Sequence, residues 1–152
     1  MIRLRVNGSA VEVAAEPRES LAQVLRERLG LTATRIGCAQ GSCGACNLLI
    51  DGAPARGCLV PAPLAEGQDI LTLEGLREDP LMAALREAFH AEHALQCGFC
   101  TAGMLIAARD LILRGRAGDA AAVRAGLAGQ LCRCTGYDGI VAAVLRAARR
   151  VA

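Results

Sequence analysis

Eight cysteines constrain this 152-residue chain more than any other feature. Cys38, Cys43, Cys46 and Cys58 follow one another with four, two and eleven residues between them, and glycines stand at Gly37, Gly41 and Gly44. The other four form two short motifs in the second half, Cys97 with Cys100 and Cys132 with Cys134. Two sets of four leave no cysteine over, and two four-thiolate metal centres are the simplest account of that arithmetic.

The first spacing reads as the plant-type ferredoxin pattern for a 2Fe–2S cluster. Such a cluster is a small anion that needs thiolates from several directions, and three of them can come from one tight loop. The loop must bring backbone close and aim N–H groups at sulfur, which glycine permits because it lacks a Cβ and tolerates positive φ. Those N–H groups also help set the reduction potential. The second set is less specific, because a Cys-x-x-Cys joined to a Cys-x-Cys could equally hold structural zinc. Disulfides are the third reading. The start, Met1-Ile2-Arg3-Leu4-Arg5-Val6, alternates like a strand and has no signal-peptide core, which favours a reducing compartment, the cytoplasm, and metal ligation.

Composition excludes two classes of partner. All 17 basic residues are arginine, but they are scattered, the net charge is only +2, and two Phe and one Tyr are the only aromatics. Nucleic-acid binding finds neither a basic stripe nor a stacking platform. No uninterrupted apolar run approaches the ~18 residues of a membrane helix, so direct membrane insertion is not expected.

Hydrophobic periodicity divides the chain. Ile2, Leu4 and Val6 alternate, Asn7-Gly8 is a hairpin signal, and Val11 and Val13 resume the alternation. Ser20 with Gln23 forms a capping box ahead of a helix bearing Leu21, Val24, Leu25 and Leu29, which Gly30 ends. Asn47 to Ile50 reads as a strand, Asp51-Gly52 as a turn leading back to Cys58, and Ile70 to Leu73 as the last strand. From there the pattern is helical, with Asp79-Pro80, Asp119 and Asp138 as starts, Thr101 to Arg114 as the second helix and Gly115 as its stop. The boundary falls at Gly75 to Asp79, which gives an α+β chain: residues 1–76 as a small mixed sheet with one helix, and residues 77–152 as four short helices. In the second unit the cysteines stand at or just ahead of helix starts, whose unpaired N–H groups and positive dipole ends favour thiolates and an anionic cluster.

Three stretches carry a family resemblance: Gly37-Cys38-Ala39-Gln40-Gly41-Ser42-Cys43-Gly44-Ala45-Cys46, Gln96-Cys97-Gly98-Phe99-Cys100-Thr101 and Leu131-Cys132-Arg133-Cys134-Thr135-Gly136-Tyr137. Together they resemble the small iron–sulfur subunit of molybdenum hydroxylases, the family of xanthine oxidase, aldehyde oxidoreductase and aerobic carbon monoxide dehydrogenase. The resemblance implies a β-grasp 2Fe–2S ferredoxin domain followed by an all-α four-helix 2Fe–2S domain. It implies that Cys97, Cys100, Cys132 and Cys134 hold the cluster nearer the molybdenum cofactor, and that Cys38, Cys43, Cys46 and Cys58 hold the distal one. It further implies that Gln96 and the region of Cys134 touch the pterin. The partners it implies are a large molybdenum-cofactor subunit and a medium FAD subunit, in a heterotrimer. The chain would then be a non-catalytic electron-transfer subunit with no substrate turnover of its own. A free-standing two-cluster carrier is the alternative, and a zinc-stapled interaction module the rival outside redox chemistry.

Two positions depart from the family pattern, Ala102 where proline is common and Gln130 where asparagine is common. His90 and His93, three apart on one helix, read as solvated, as do Glu12, Glu16 and Glu19. Tyr137 is either core or a neighbour of the second cysteine set.

Overall fold

The computed structural model describes residues 1–151. Its first half is one mixed sheet built from two hairpins. β1 (Ile2–Val6) and β2 (Ser9–Val13) pair antiparallel around Asn7 and Gly8, whose φ angles of 51° and 81° are what a type I′ turn requires. β3 (Asn47–Ile50) and β4 (Ala53–Arg56) repeat the device around Asp51 and Gly52. β5 (Asp69–Leu71) enters between the hairpins, parallel to β1 and antiparallel to β3, so the order is β2-β1-β5-β3-β4. This last strand stops at Leu71, short of the expected Leu73. The amide of Thr72 donates to the Asn7 side chain at 2.9 Å instead of extending the ladder, and Leu73–Leu76 then coil into a 3₁₀ turn.

The capping box at Ser20 and Gln23 forms as the sequence predicts and opens α1 (Leu21–Gln23). The helix then widens into a π-helical turn over Val24–Arg28, with the Leu29 amide reaching back to the Val24 carbonyl. Leu21, Val24 and Leu25 are fully buried against Ile2, Leu4, Val6, Leu48 and Ile70. Burying a leucine of this kind stabilises the fold by about 1.5–3 kcal/mol.

The second half is α2 (Pro80–Ala91), α3 (Thr101–Leu113), α4 (Ala120–Gly126) and α5 (Asp138–Val151). Asp79 and Asp119 cap α2 and α4 by accepting the amides of Met82 and Ala122. Asp138 behaves differently from the expectation: it is the first residue of α5, and its carboxylate pairs with Arg124 at 2.5 Å. Leu81, Leu85, Phe89, Met104, Ala108, Ile140 and Val144 form the core of this half.

One strand serves both cores. Asn47, Leu48 and Leu49 are buried in succession, because Leu48 faces α1 while Leu49, opposite Leu71 in the ladder, faces the helices. A strand covered on both faces loses the polar alternation of a surface strand. No described helix is long and apolar enough to cross a membrane.

Candidate metal centres

The first cysteine set is gathered by the β3–β4 hairpin. Cys38, Cys43 and Cys46 lie on the loop entering β3, and the hairpin returns the chain so that the Gly57 amide donates to the Cys46 carbonyl at 3.1 Å, next to Cys58. Donors already surround Cys38: the hydroxyl of Ser42 and the amides of Gln40 and Cys43, the latter two at 3.5 and 3.4 Å from Sγ, hold its thiol down to about 5. Burial pushes the Cys46 thiol up to about 11, with the thiols of Cys58 and Cys43 beside it.

The second set joins two loops. Cys100 is the N-cap residue of α3, Cys97 lies in the turn before it, and Cys132 and Cys134 lie on the segment leading to α5. Cys97 and Cys134 stand 3.5 Å apart, sulfur to sulfur. The Phe99 amide and the Cys134 thiol draw Cys97 below its ordinary pKa, while the Cys97 thiol raises that of Cys134. Burial, with Cys132 adjacent, pushes Cys100 up to about 12. Burial also opposes ionisation of Cys132, but the Thr135 hydroxyl, 3.1 Å from its sulfur, and nearby amides outweigh it and lower its pKa. Tyr137 is a neighbour of this set: its hydroxyl accepts from the Cys132 amide at 2.8 Å and donates to the Gln130 carbonyl at 3.1 Å.

Among the described residues no three His, Cys, Asp or Glu side chains converge as they would on a single ion. Within each set the thiols are neighbours: Cys38 lies beside Cys43, and Cys46 beside Cys58 and Cys43, while Cys97 stands 3.5 Å from Cys134 and Cys100 lies beside Cys132 and Cys97. A binuclear iron centre takes four thiolates, which is the donor set that each group of four cysteines offers. One more group fits. Thr101 Oγ1, next in sequence to Cys100, is buried and has no hydrogen-bond partner among the described residues. A buried hydroxyl of this kind calls for an acceptor, and a cluster sulfur is one.

Gln96 and Cys134 come together, with Gln96 Nε2 donating to the Cys134 carbonyl at 3.0 Å, and both residues are exposed. His90 and His93 do not join either set; both are exposed. Sequence reasoning singled out Gln130 as a departure but missed the polar group it belongs to, at the seam between the halves. Asn47 and Gln130 are buried there and meet Arg56, at the floor of a cleft of ≈ 710 Å³. Each residue adjoins a cysteine motif, but Asn47 and Arg56, as single polar residues, carry no periodic signal that would have marked them.

Two family models match the chain, a "2Fe-2S iron-sulfur cluster binding domain" over residues 4–74 and a "[2Fe-2S] binding domain" over residues 72–145. Caffeine dehydrogenase subunit gamma of Pseudomonas sp. (strain CBB1) is 45% identical over 147 residues, covering 95% of this chain and 88% of that one. The xanthine dehydrogenase iron-sulfur-binding subunit of Escherichia coli O157:H7 is 40% identical over 146 residues, covering 95% and 91%. Among solved structures, a chain of quinoline 2-oxidoreductase from Pseudomonas putida 86 superposes with a TM-score of 0.88 at 50% identity, covering 98% of this chain and 95% of that one.

Proposed function

This chain belongs to the family of small 2Fe–2S subunits of molybdenum hydroxylases, and from that premise we propose that it conducts electrons from a molybdenum–pterin centre through two 2Fe–2S clusters to FAD or another acceptor. Cys38, Cys43, Cys46 and Cys58 hold one cluster, and Cys97, Cys100, Cys132 and Cys134 hold the other. The observation that carries this is that the fold gathers the eight cysteines into two groups of four neighbouring thiols. When bound, each cluster supplies one-electron chemistry.

The residues of this chain do the rest. Ser42 and the amides of Gln40 and Cys43 point donors at Cys38, and Phe99 and Thr135 do the same at Cys97 and Cys132. Such donors favour the thiolate and, once metal is bound, the added electron. Exposure supports the direction of flow. Cys97, Cys134 and Gln96 reach the surface among the exposed apolar side chains of Leu95, Phe99 and Leu131, a face suited to a large molybdenum-cofactor subunit with Gln96 and Cys134 toward its pterin. The exposed Leu59, beside Cys58, offers a second apolar contact toward a flavin-bearing subunit. The two units divide at residues 76 and 77. Cysteines that serve metal rather than disulfides suit a complex in a reducing compartment, the cytoplasm.

The test is EPR spin counting on the dithionite-reduced protein, with iron and sulfide assayed on the same sample. Two distinguishable signals with about two irons and two sulfides each are expected. One signal would reduce the chain to a simple ferredoxin, and zinc in place of iron would end the redox reading.

A further inference from the structure

We propose that Arg56, held by Asn47 and Gln130, is a charged clamp between the two metal centres that fixes their relative placement and raises both reduction potentials. The proposal rests on the two-cluster reading above and goes beyond it, because none of the three residues is a ligand.

Arg56 spreads its donors over both cysteine loops. Its Nε donates to the Gly41 carbonyl at 3.2 Å, inside the segment from Cys38 to Cys43. Its Nη2 donates to the Gly129 carbonyl at 2.7 Å, three residues before Cys132. Its Nη1 donates to Asn47 Oδ1 and, at 3.3 Å, to Gln130 Oε1. Asn47, directly after Cys46, sends its Nδ2 to Gln130 Oε1 at 3.0 Å and to the Gly103 carbonyl at 3.2 Å, in the first turn after Cys100. One guanidinium and one amide therefore tie together the backbone segments that carry the cysteines of both sets. The clamp touches the first loop directly. A Cβ at Gly44 would stand 2.0 Å from Gln130 Oε1 and 2.7 Å from Arg56 Nη1.

The charge is left over. Every acceptor of Arg56 is a neutral carbonyl or amide oxygen, and among the described residues no carboxylate pairs with it. Asp110, which lines the same cleft, is taken by Arg114 at 2.8 Å. Reduction adds one negative charge to a cluster, and a fixed, unneutralised cation nearby favours the reduced form. Net charge and hydrogen bonding around a cluster are the levers that set its potential.

A redox titration followed by EPR, on the iron-loaded full chain in its complex, tests this with three variants. Arg56→Gln removes the charge and should lower both midpoint potentials. Gln130→Glu keeps an acceptor for Arg56 and Asn47 but sets a carboxylate against the guanidinium, and it should lower them too. Arg56→Lys keeps the charge but not the fork. It should leave the potentials near wild type while changing the magnetic interaction between the two reduced clusters. A purely structural role for the clamp predicts no shift in Gln130→Glu, so unchanged potentials in that variant, with both clusters present, would overturn the proposal even if Arg56→Gln fails to assemble. An unaltered interaction in Arg56→Lys would overturn its positioning half. Wild-type protein without two cluster signals would overturn the two-cluster reading itself, and the clamp with it.

Discussion

At the scale of single residues, two side chains beside the second cysteine set differ in how their hydroxyls are satisfied. The Tyr137 hydroxyl is satisfied within the protein, accepting one hydrogen bond and donating another. The Thr101 hydroxyl is not. Leaving a buried hydroxyl without a partner costs about 1–3 kcal/mol, and a bound cluster's sulfur would supply the acceptor that Thr101 lacks. Thr101→Val should leave the iron content intact and lower the potential of one cluster only, as read by redox titration with EPR detection. In the cluster-free chain the same substitution should be neutral or stabilising in urea unfolding. An unchanged potential would make Thr101 a packing residue.

At the scale of elements, α2 depends on a residue outside it. Asp79 caps the helix through the Met82 amide and also holds Arg109 of α3, at 2.6 Å, with both side chains about one-fifth exposed. Burial opposes ionisation of this carboxyl, but the bonds from Arg109 and Met82 outweigh it and lower its pKa. A carboxyl depressed on folding contributes stability that is fully present above its unfolded value of about 3.9 and is lost as pH falls through the folded value. Asn is as good a cap as Asp, so Asp79→Asn removes the charge pair alone. It should cost roughly 1 kcal/mol at pH 7. Urea unfolding at stepwise lower pH should show the gap between variant and wild type closing below about pH 4; a gap that persists would place the effect in the cap.

At the scale of the whole molecule, the two halves share more than a linker. Leu49 and Leu71 of the sheet belong to the helical core, and the amide of Leu131 donates to the Cys43 carbonyl at 2.8 Å. α3 approaches so closely that a Cβ at Gly103 would stand 2.1 Å from the Gly44 carbonyl oxygen. Splitting the halves would expose that apolar face and unpair the buried Asn47. The chain should therefore unfold in one cooperative transition, with far-UV circular dichroism and the visible cluster absorbance lost together. Two separated transitions would mean that the seam contributes little.

The sequence by itself determined most of the elements and marked the two sets of four cysteines. Hairpin turns at Asn7-Gly8 and Asp51-Gly52, the caps at Ser20, Asp79 and Asp119, and the cysteine spacings are all local, and local chemistry specifies them. It misjudged the end of β5 and the role of Asp138, because each was settled by a distant partner, Asn7 for the one and Arg124 for the other. Tertiary structure alone decided that Cys97 faces Cys134 and Cys100 faces Cys132, and that Arg56, one of 17 scattered arginines, stands between the cysteine loops. The reason is physical. Such contacts join segments far apart in the chain, and their geometry exists only once two separately patterned cores have closed on the same strand.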